Sequence, residues 1–251
     1  MKAMRQEAIL ELVRARGAVS TSELEAEVGA SAATLRRDLS RLEGEGKLRR
    51  TFGGATAFET RDDPFVAVLG VNGEAKRAIA RAAASQITDG QTIILDVGTT
   101  VHYLAAELVH RPITVVTGSL AVFEVLAASP ETKLILLGGE FVPEYRCVTG
   151  FLAEDSLRNV HADQAFLGCS GVSDTGDIRD TTASQIPLKR AILRVSERST
   201  LLVDSAKFPG VGSATAASIA MLDQIITDAA LPDRLAAVCE AGGTAVVMTA
   251  A

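Results

Sequence analysis

Ser31-Ala-Ala-Thr-Leu-Arg-Arg-Asp-Leu-Ser-Arg-Leu-Glu-Gly-Glu45 decides how the first part of this chain folds. Leu35, Leu39 and Leu42 fall at the i, i+4, i+7 spacing of an amphipathic helix. At about 100° per residue, with the leucines set toward a core, the opposite face carries Ala33, Arg37 and Ser40. Arg36 flanks that face on one side, Thr34 and Arg41 on the other. Ser31 is placed to cap the helix, its hydroxyl accepting from an amide of the first turn. A front of small, hydroxyl and guanidinium side chains suits the DNA major groove, where Arg bonds guanine O6 and N7 in bidentate fashion. Taken alone, the pattern fits a solvated face on an ordinary core helix at least as well. The flanking sequence reverses that balance.

Upstream, Glu7 to Arg16 reads as a first helix with Ile9, Leu10, Leu12 and Val13 as its apolar stripe, stopped at Gly17. Ser20-Thr-Ser-Glu23 has the form of a capping box and opens a short second helix through Leu24 and Val28. Gly29-Ala30 then supplies the tight turn of a helix-turn-helix, whose second helix enters the groove. Downstream, Gly46-Lys-Leu-Arg-Arg-Thr-Phe-Gly-Gly-Ala-Thr-Ala-Phe58 reads as two short strands. They meet at Gly53-Gly54, where glycine tolerates the positive φ of a hairpin turn. A hairpin in that place is the wing of a winged helix. Lys47, Arg49 and Arg50 are expected against the sugar-phosphate backbone, adding affinity without sequence information.

The charge supports this division. The chain of 251 residues has a net charge of −6, yet residues 1–60 hold ten Lys/Arg against nine Asp/Glu. The remainder holds 15 against 22, and residues 36–50 hold six basic against three acidic groups. Positive charge is thus local, as expected when a small module meets phosphate and a larger one does something else. With 47% hydrophobic residues the chain can bury two cores. No run of 18 apolar residues and no signal-peptide core is present, so neither a membrane span nor a leader is expected. Cys147, Cys169 and Cys239 are odd in number and form no CxxC. They read as small core residues in a reducing cytoplasm, without a disulfide framework or a metal site.

Glu59-Thr-Arg-Asp-Asp-Pro64 reads as linker, which sets expected boundaries at 1–58, 59–73 (linker) and 74–251. Helices and continuous apolar strands then alternate. The strands are expected at Thr92–Leu95, Ile113–Val116, Lys133–Leu137, Ala165–Leu167, Thr200–Val203, Gln224–Thr227 and Ala245–Met248. The pattern predicts an α/β domain with a mainly parallel sheet covered on both faces. In such sheets ligands bind at the carboxyl ends of the strands. Four polar clusters fall there: Asp96-Val-Gly98-Thr99-Thr100, Thr117-Gly118-Ser119, Gly138-Gly139 and Asp204-Ser-Ala-Lys207. Glycine lets backbone approach an anion, and free amides, hydroxyls and a lysine bind one. There is no GxGxxG and no GxxxxGK[ST], so no nucleotide cofactor is expected.

Thr34-Leu-Arg-Arg-Asp-Leu-x-x-Leu-Glu-x-x-Gly-x-Leu-x-Arg-x-x-Gly-Gly-Ala55 resembles the N-terminal signature of the DeoR family of bacterial transcriptional regulators. Ala30 stands where a Val is usual, and Phe52 where a His commonly precedes the glycine pair. The resemblance continues through Asp96–Thr100, Thr117–Ser119, Leu137–Gly139, Ala162–Gly168 and Asp204–Phe208. It implies an effector domain similar to ribose-5-phosphate isomerase that senses a small phosphorylated sugar or related metabolite. On that basis Asp96 and Asp163 would take the ligand's hydroxyls and the Thr and Ser loops its phosphate, with Lys76 able to take part. Gly118 replaces a usual Asn, and an Arg usual near position 69 is missing, so the effector or its binding differs from that of better-known relatives. The expected partners are a double-stranded operator, an effector and further copies of the chain, as a homodimer or homotetramer. The regulator is expected to be a repressor. The alternative is an isomerase-like sugar-phosphate enzyme carrying a DNA module, for which Asp96, Asp163 and Lys207 offer the needed chemistry.

Overall fold

The computed structural model describes residues 5, 6, 8–10, 12, 13, 18–44, 48–51, 53–56 and 65–249. Two compact units divide at Arg61/Asp62. In the first, the described positions between 5 and 13 are helical, followed by β1 (Ala18–Ser20), α1 (Thr21–Val28), α2 (Ala32–Gly44), β2 (Arg49–Thr51) and β3 (Gly54–Thr56). The Ser20 hydroxyl accepts from the Glu23 amide at 3.2 Å, and the Glu23 carboxylate takes the Ser20 N–H at 2.7 Å. This is the expected capping box. Gly29 closes α1 in the left-handed region, with φ 65°. Leu35, Leu39 and Leu42 are buried with Ile9, Leu10, Val13, Val19 and Leu24.

Two features of this unit depart from expectation. The wing is a three-stranded sheet of order β1-β3-β2, because Ala18–Ser20 adds a strand the sequence pattern did not reveal. Gly54 lies inside β3 and has no positive φ. Its requirement is steric: a Cβ there would lie 2.1 Å from the Val19 carbonyl oxygen and 2.7 Å from Ser20 Cα. Glycine is needed so that β1 can approach.

The second unit opens with α3 (Phe65–Leu69), inside the expected linker, and α4 (Gly73–Ala84). Phe65 is buried, and Leu69 O accepts from the Tyr103 hydroxyl at 3.1 Å, so this stretch belongs to the domain. There follow β4 (Thr92–Leu95), α5 (Thr99–Glu107), β5 (Thr114–Thr117), α6 (Leu120–Leu126) and β6 (Lys133–Leu136). Next come β7 (Glu140–Val142), β8 (Cys147–Thr149), α7 (Phe151–Leu157), β9 (Ala162–Leu167), β10 (Gly171–Val172) and β11 (Asp177–Asp180). The chain ends with α8 (Ile186–Val195), β12 (Ser196–Leu202), β13 (Ala214–Ser218), β14 (Gln224–Thr227), α9 (Asp233–Gly242) and β15 (Ala245–Met248).

Seven strands form one parallel sheet of order β15-β14-β12-β9-β4-β5-β6. Side chains alternate across it, as the period of two requires. Ile93, Leu95, Val115 and Phe166 pack beneath α4, α5 and α6, while Ile94, Val116, Leu167 and Leu201 face α7, α8 and α9. Strand order reverses between β4 and β9: from β4 the chain winds outward to β5 and β6, then returns to β9 and winds the other way. The antiparallel pieces β7-β8 and β10-β11-β13 escape a search for apolar runs because each strand is only two to five residues long.

Gly54→Ala is expected to destabilise the first unit by about 1–3 kcal/mol through forced backbone displacement. Calorimetry of the full chain should show the transition of that unit lowered and that of the second unit unmoved.

Candidate functional site

On α2 the residues opposite the leucines reach solvent: Ala33, Arg36, Arg37, Ser40 and Arg41 are exposed, and Thr34 is half-buried. The helix is held from behind by Asp38, which is buried and accepts from Arg5 Nε at 2.7 Å and Gln6 Nε2 at 2.8 Å. Asp38 therefore orients the basic face from its apolar side. The Ser31 hydroxyl pairs with the Thr34 hydroxyl at 3.1 Å, and the helix start is closed by Ser31 O accepting from Leu35 N. The backbone of Arg49 and Arg50 lies in β2, whereas Lys47 falls outside the described residues.

In the second unit the sheet brings the ends of β14, β12, β9, β4, β5 and β6 into one row. At the β4/β9 reversal, Asp96 is buried and its carboxylate takes the Gly168 amide at 3.2 Å and the Lys189 ammonium. Lys189 Nζ also donates to Gly168 O at 2.6 Å and lies 3.5 Å from Asp180 Oδ2. Burial alone would lower the Lys189 pKa, but Asp180 and Asp96 outweigh it and hold the amine above its ordinary range. Burial, aided by Asp96, raises Asp180. The Cys169 thiol beside this group is pushed up to about 12 by burial and by Asp180.

This geometry redistributes the expected ligand residues. Asp96 is committed to Lys189 and Gly168 and is not open to a ligand. Thr117 and Ser119 are fully buried. The Thr117 hydroxyl donates to Leu95 O at 2.7 Å and accepts from Ser119 N, while the Ser119 hydroxyl caps α6. Those groups build the turn. A Cβ on Gly118 would lie 3.2 Å from Val148 O, and one on Gly139 2.5 Å from Thr149 O. The β7-β8 hairpin closes over both glycines, while Gly138 has open space around it. Asp163 is at the far end of the sheet, where it accepts from Thr92 N at 2.7 Å at the start of β4.

A second group lies at the ends of β12 and β14, where Asp204, an expected ligand residue, is buried. Asn72 precedes α4 in the left-handed region, makes no side-chain cap, and donates to Asp204 Oδ1 at 2.9 Å. Lys76 is buried and donates to Val68 O at 2.8 Å. Its pKa is lowered by burial and by Lys207, against the pull of Asp204. Lys207 itself is half-buried. Ser205 is held by Asp228, which accepts its N–H at 2.6 Å and its hydroxyl at 3.1 Å. Between these elements opens a cleft of about 510 Å³ lined by Asn72, Gly73, Glu74, Ala75, Ser205, Ala206 and Asp228. A Cβ on Gly73 would lie 3.4 Å from the Tyr103 hydroxyl, one turn into α5. The start of α4 therefore lies beside the Tyr103 side chain of α5; the start of α5, at the uncapped Gly98 (φ 142°) with Thr99 and Thr100, is not in the lining of this cleft. Sequence reading missed Lys189, Asp180 and Asp228, none of which sits in a local motif, and singled out Asp204 and Lys207 but not Ser205 of their cluster.

A winged helix-turn-helix joined to an α/β unit with a polar cleft defines a DNA-binding regulator with a sensor domain. Residues 5–61 match the DeoR-like helix-turn-helix domain, and residues 71–229 match the DeoR C terminal sensor domain. The L-fucose operon activator of Haemophilus influenzae is 34% identical over 238 residues, 94% of this chain and 96% of the relative. The glycerol-3-phosphate regulon repressor of Escherichia coli is 33% identical over 230 residues, 91% of each chain. A ribose 5-phosphate isomerase A from Methanocaldococcus jannaschii superposes with TM-score 0.41 at 19% identity over 54% of each chain. The chain belongs to the DeoR family of transcriptional regulators. No helix among the described residues is long and apolar enough to cross a membrane.

Lys189→Met should destabilise the second unit by about 3–5 kcal/mol, since Asp96 and Asp180 would be left buried and uncompensated. Burial already raises the Asp180 carboxyl and the ammonium opposes that rise, so without Lys189 protonation of Asp180 relieves the penalty. The deficit relative to the unaltered protein, measured by urea unfolding, should be smaller at pH 5 than at pH 8.

Proposed function

We propose that this regulator reads operator DNA with the exposed face of α2 and adjusts its grip when a small phosphorylated sugar enters the cleft at the start of α4. For the first part, Ala33, Arg36, Arg37, Ser40 and Arg41 make one exposed face, and Ser31 and Thr34 adjoin its start. Arg37 is the residue assigned to a base edge, while Lys47, Arg49 and Arg50 are assigned to phosphates. A symmetric operator asks for two or more copies of the chain, with half-sites roughly 34–36 Å apart or a multiple of that.

For the second part, one observation carries the reading: the uncapped start of α4 lines a cleft of about 510 Å³ together with Ser205 and Ala206, next to Lys207 in the chain. That volume is in the usual range for small-molecule sites. A helix start without a side-chain cap offers free amides to an anion, and Lys207 adds a point charge. Asn72, exposed in the cleft and held by the buried Asp204, faces the ligand's hydroxyls at the other end. The reading leaves out turnover. An isomerase needs an unengaged carboxylate base, and Asp96 is tied to Lys189 while Asp163 lies at the opposite end of the sheet. Relatives named both activator and repressor leave the sign of regulation to experiment.

Arg37→Ala should weaken specific operator binding by about 1–3 kcal/mol and relax sequence preference at one position, read by competition binding; an unchanged preference overturns the assignment of that face. A thermal-shift series with phosphorylated sugars should find one that raises the melting temperature of the second unit by mass action. Lys207→Ala should abolish most of that shift and of the DNA response while leaving operator affinity without ligand unchanged. A full response would place the anion elsewhere.

A further inference from the structure

The seven-stranded sheet ends at β6, and its edge is not blunted. Strands at a sheet edge usually carry charges, proline or a bulge that discourage pairing with another chain. β6 reads Lys133-Leu-Ile-Leu136 and has one charge, at its start. Ile135 and Leu136 are 38% and 40% exposed although they occupy a parallel sheet whose inner strands are fully covered. The chain then turns through Gly138-Gly139 into β7, and Gly139 sits against Thr149 just before α7. Glu140 pairs with Thr149, so Phe141 on β7 and Phe151 and Leu152 at the start of α7 follow close to the end of β6, at 52%, 76% and 53% exposure.

We propose that this end of the sheet is where a second copy of the chain docks, with the two β6 strands antiparallel about a two-fold axis. At about 200 Å² for a phenylalanine, the two Phe leave on the order of 250 Å² open, and the aliphatic chains add a comparable area. That is more than half of the ~800 Å² that each partner buries in a stable interface, before the main chain of β6 is counted. The charges match the same geometry. Lys133 stands exposed at the start of β6 and Glu140 exposed beyond its end, so antiparallel pairing brings Lys133 of one copy toward the end that leads to Glu140 of the other. The DNA-binding unit of the same chain offers no counterpart, since every large exposed apolar residue among the described ones lies in the second unit. A second copy presents an identical patch, as an isologous contact requires. The opposite edge, at β15, exposes Val246 and Met248 but no aromatic ring, and aromatic rings are what interfaces concentrate.

The proposal draws on the operator reading only for the expectation that copies associate. Light scattering and sedimentation of the full chain across a hundredfold concentration range should give a dimer or a multiple of one. Phe151→Glu should raise the dissociation constant at least tenfold, whereas Met221→Glu, equally exposed on another face, should not. Lys133→Glu should weaken association and Lys133→Glu with Glu140→Lys should restore it. Hydrogen exchange of the unaltered protein, which needs no variant to fold, should show residues 133–142 and 150–153 protected as concentration rises. Protection confined to β15 or elsewhere, or an unchanged dissociation constant in Phe151→Glu, overturns the surface and leaves the two-fold operator reading standing. A chain that stays monomeric throughout and binds DNA as a monomer overturns both.

Discussion

A single ammonium group, buried where the sheet changes direction, fixes the arrangement on which the sensor domain depends. Lys189 reaches from α8 to the carboxyl ends of β4 and β9, holding the Asp96 carboxylate and the Gly168 carbonyl together, with Asp180 at its far side. Bringing such a group out of water costs several kcal/mol per ion, and nothing in hydrophobic packing compensates for that. What the cluster does accomplish is positional: it ties the two connections that diverge at the reversal, one running into α5 and the other toward β10. In open α/β sheets that divergence is what leaves a crevice for a ligand. The loops on either side are held at a fixed separation, with Gly98 and Gly168 thinned to glycine so that they can meet.

Most of the framework is legible in the sequence because it rests on periodicity. The leucines of α2, the capping box at Ser20 and the apolar runs of all seven parallel strands each state their structure within a dozen residues. What the sequence hides is whatever depends on a partner far along the chain. Lys189 sits in an amphipathic helix and would pass for a surface residue, yet its carboxylate partner is 93 positions away. Gly54 and Gly139 look like turn glycines, but both are demanded by another strand's backbone lying within 3 Å of where a Cβ would go. Thr117 and Ser119 look like an anion loop because the same hydroxyls that bind phosphate also cap helices and close turns. Composition cannot tell these uses apart; only the identity of the bonded partner does.

The DNA-binding unit illustrates the opposite case, in which local sequence nearly suffices. Its basic face needs only that Leu35, Leu39 and Leu42 point inward, and a small apolar cluster around Ile9, Val13, Val19 and Leu24 ensures that. Asp38 adds what periodicity does not: a carboxylate on the buried side that engages Arg5 and Gln6 and so fixes the roll of the helix. An acidic residue in the middle of a basic run would seem to weaken a phosphate-binding face. Turned inward, it leaves the outward field positive.

A ligand can alter DNA affinity only by the difference in its affinity for two arrangements of the protein, so the position of the cleft matters as much as its chemistry. The cleft lies beyond the ends of β12 and β14, whereas the apolar edge is at β6, four strand spacings from β12, or about 19 Å at 4.8 Å each. No ligand of sugar-phosphate size spans that distance. A signal between them has to be carried by something that contacts both halves of the sheet, and the Asp96–Lys189–Gly168 knot is such an element, because it joins β4 on one side of the reversal to β9 on the other. Removing either charge alone is costly, so the buried pair holds the ends of β4 and β9 together as a unit.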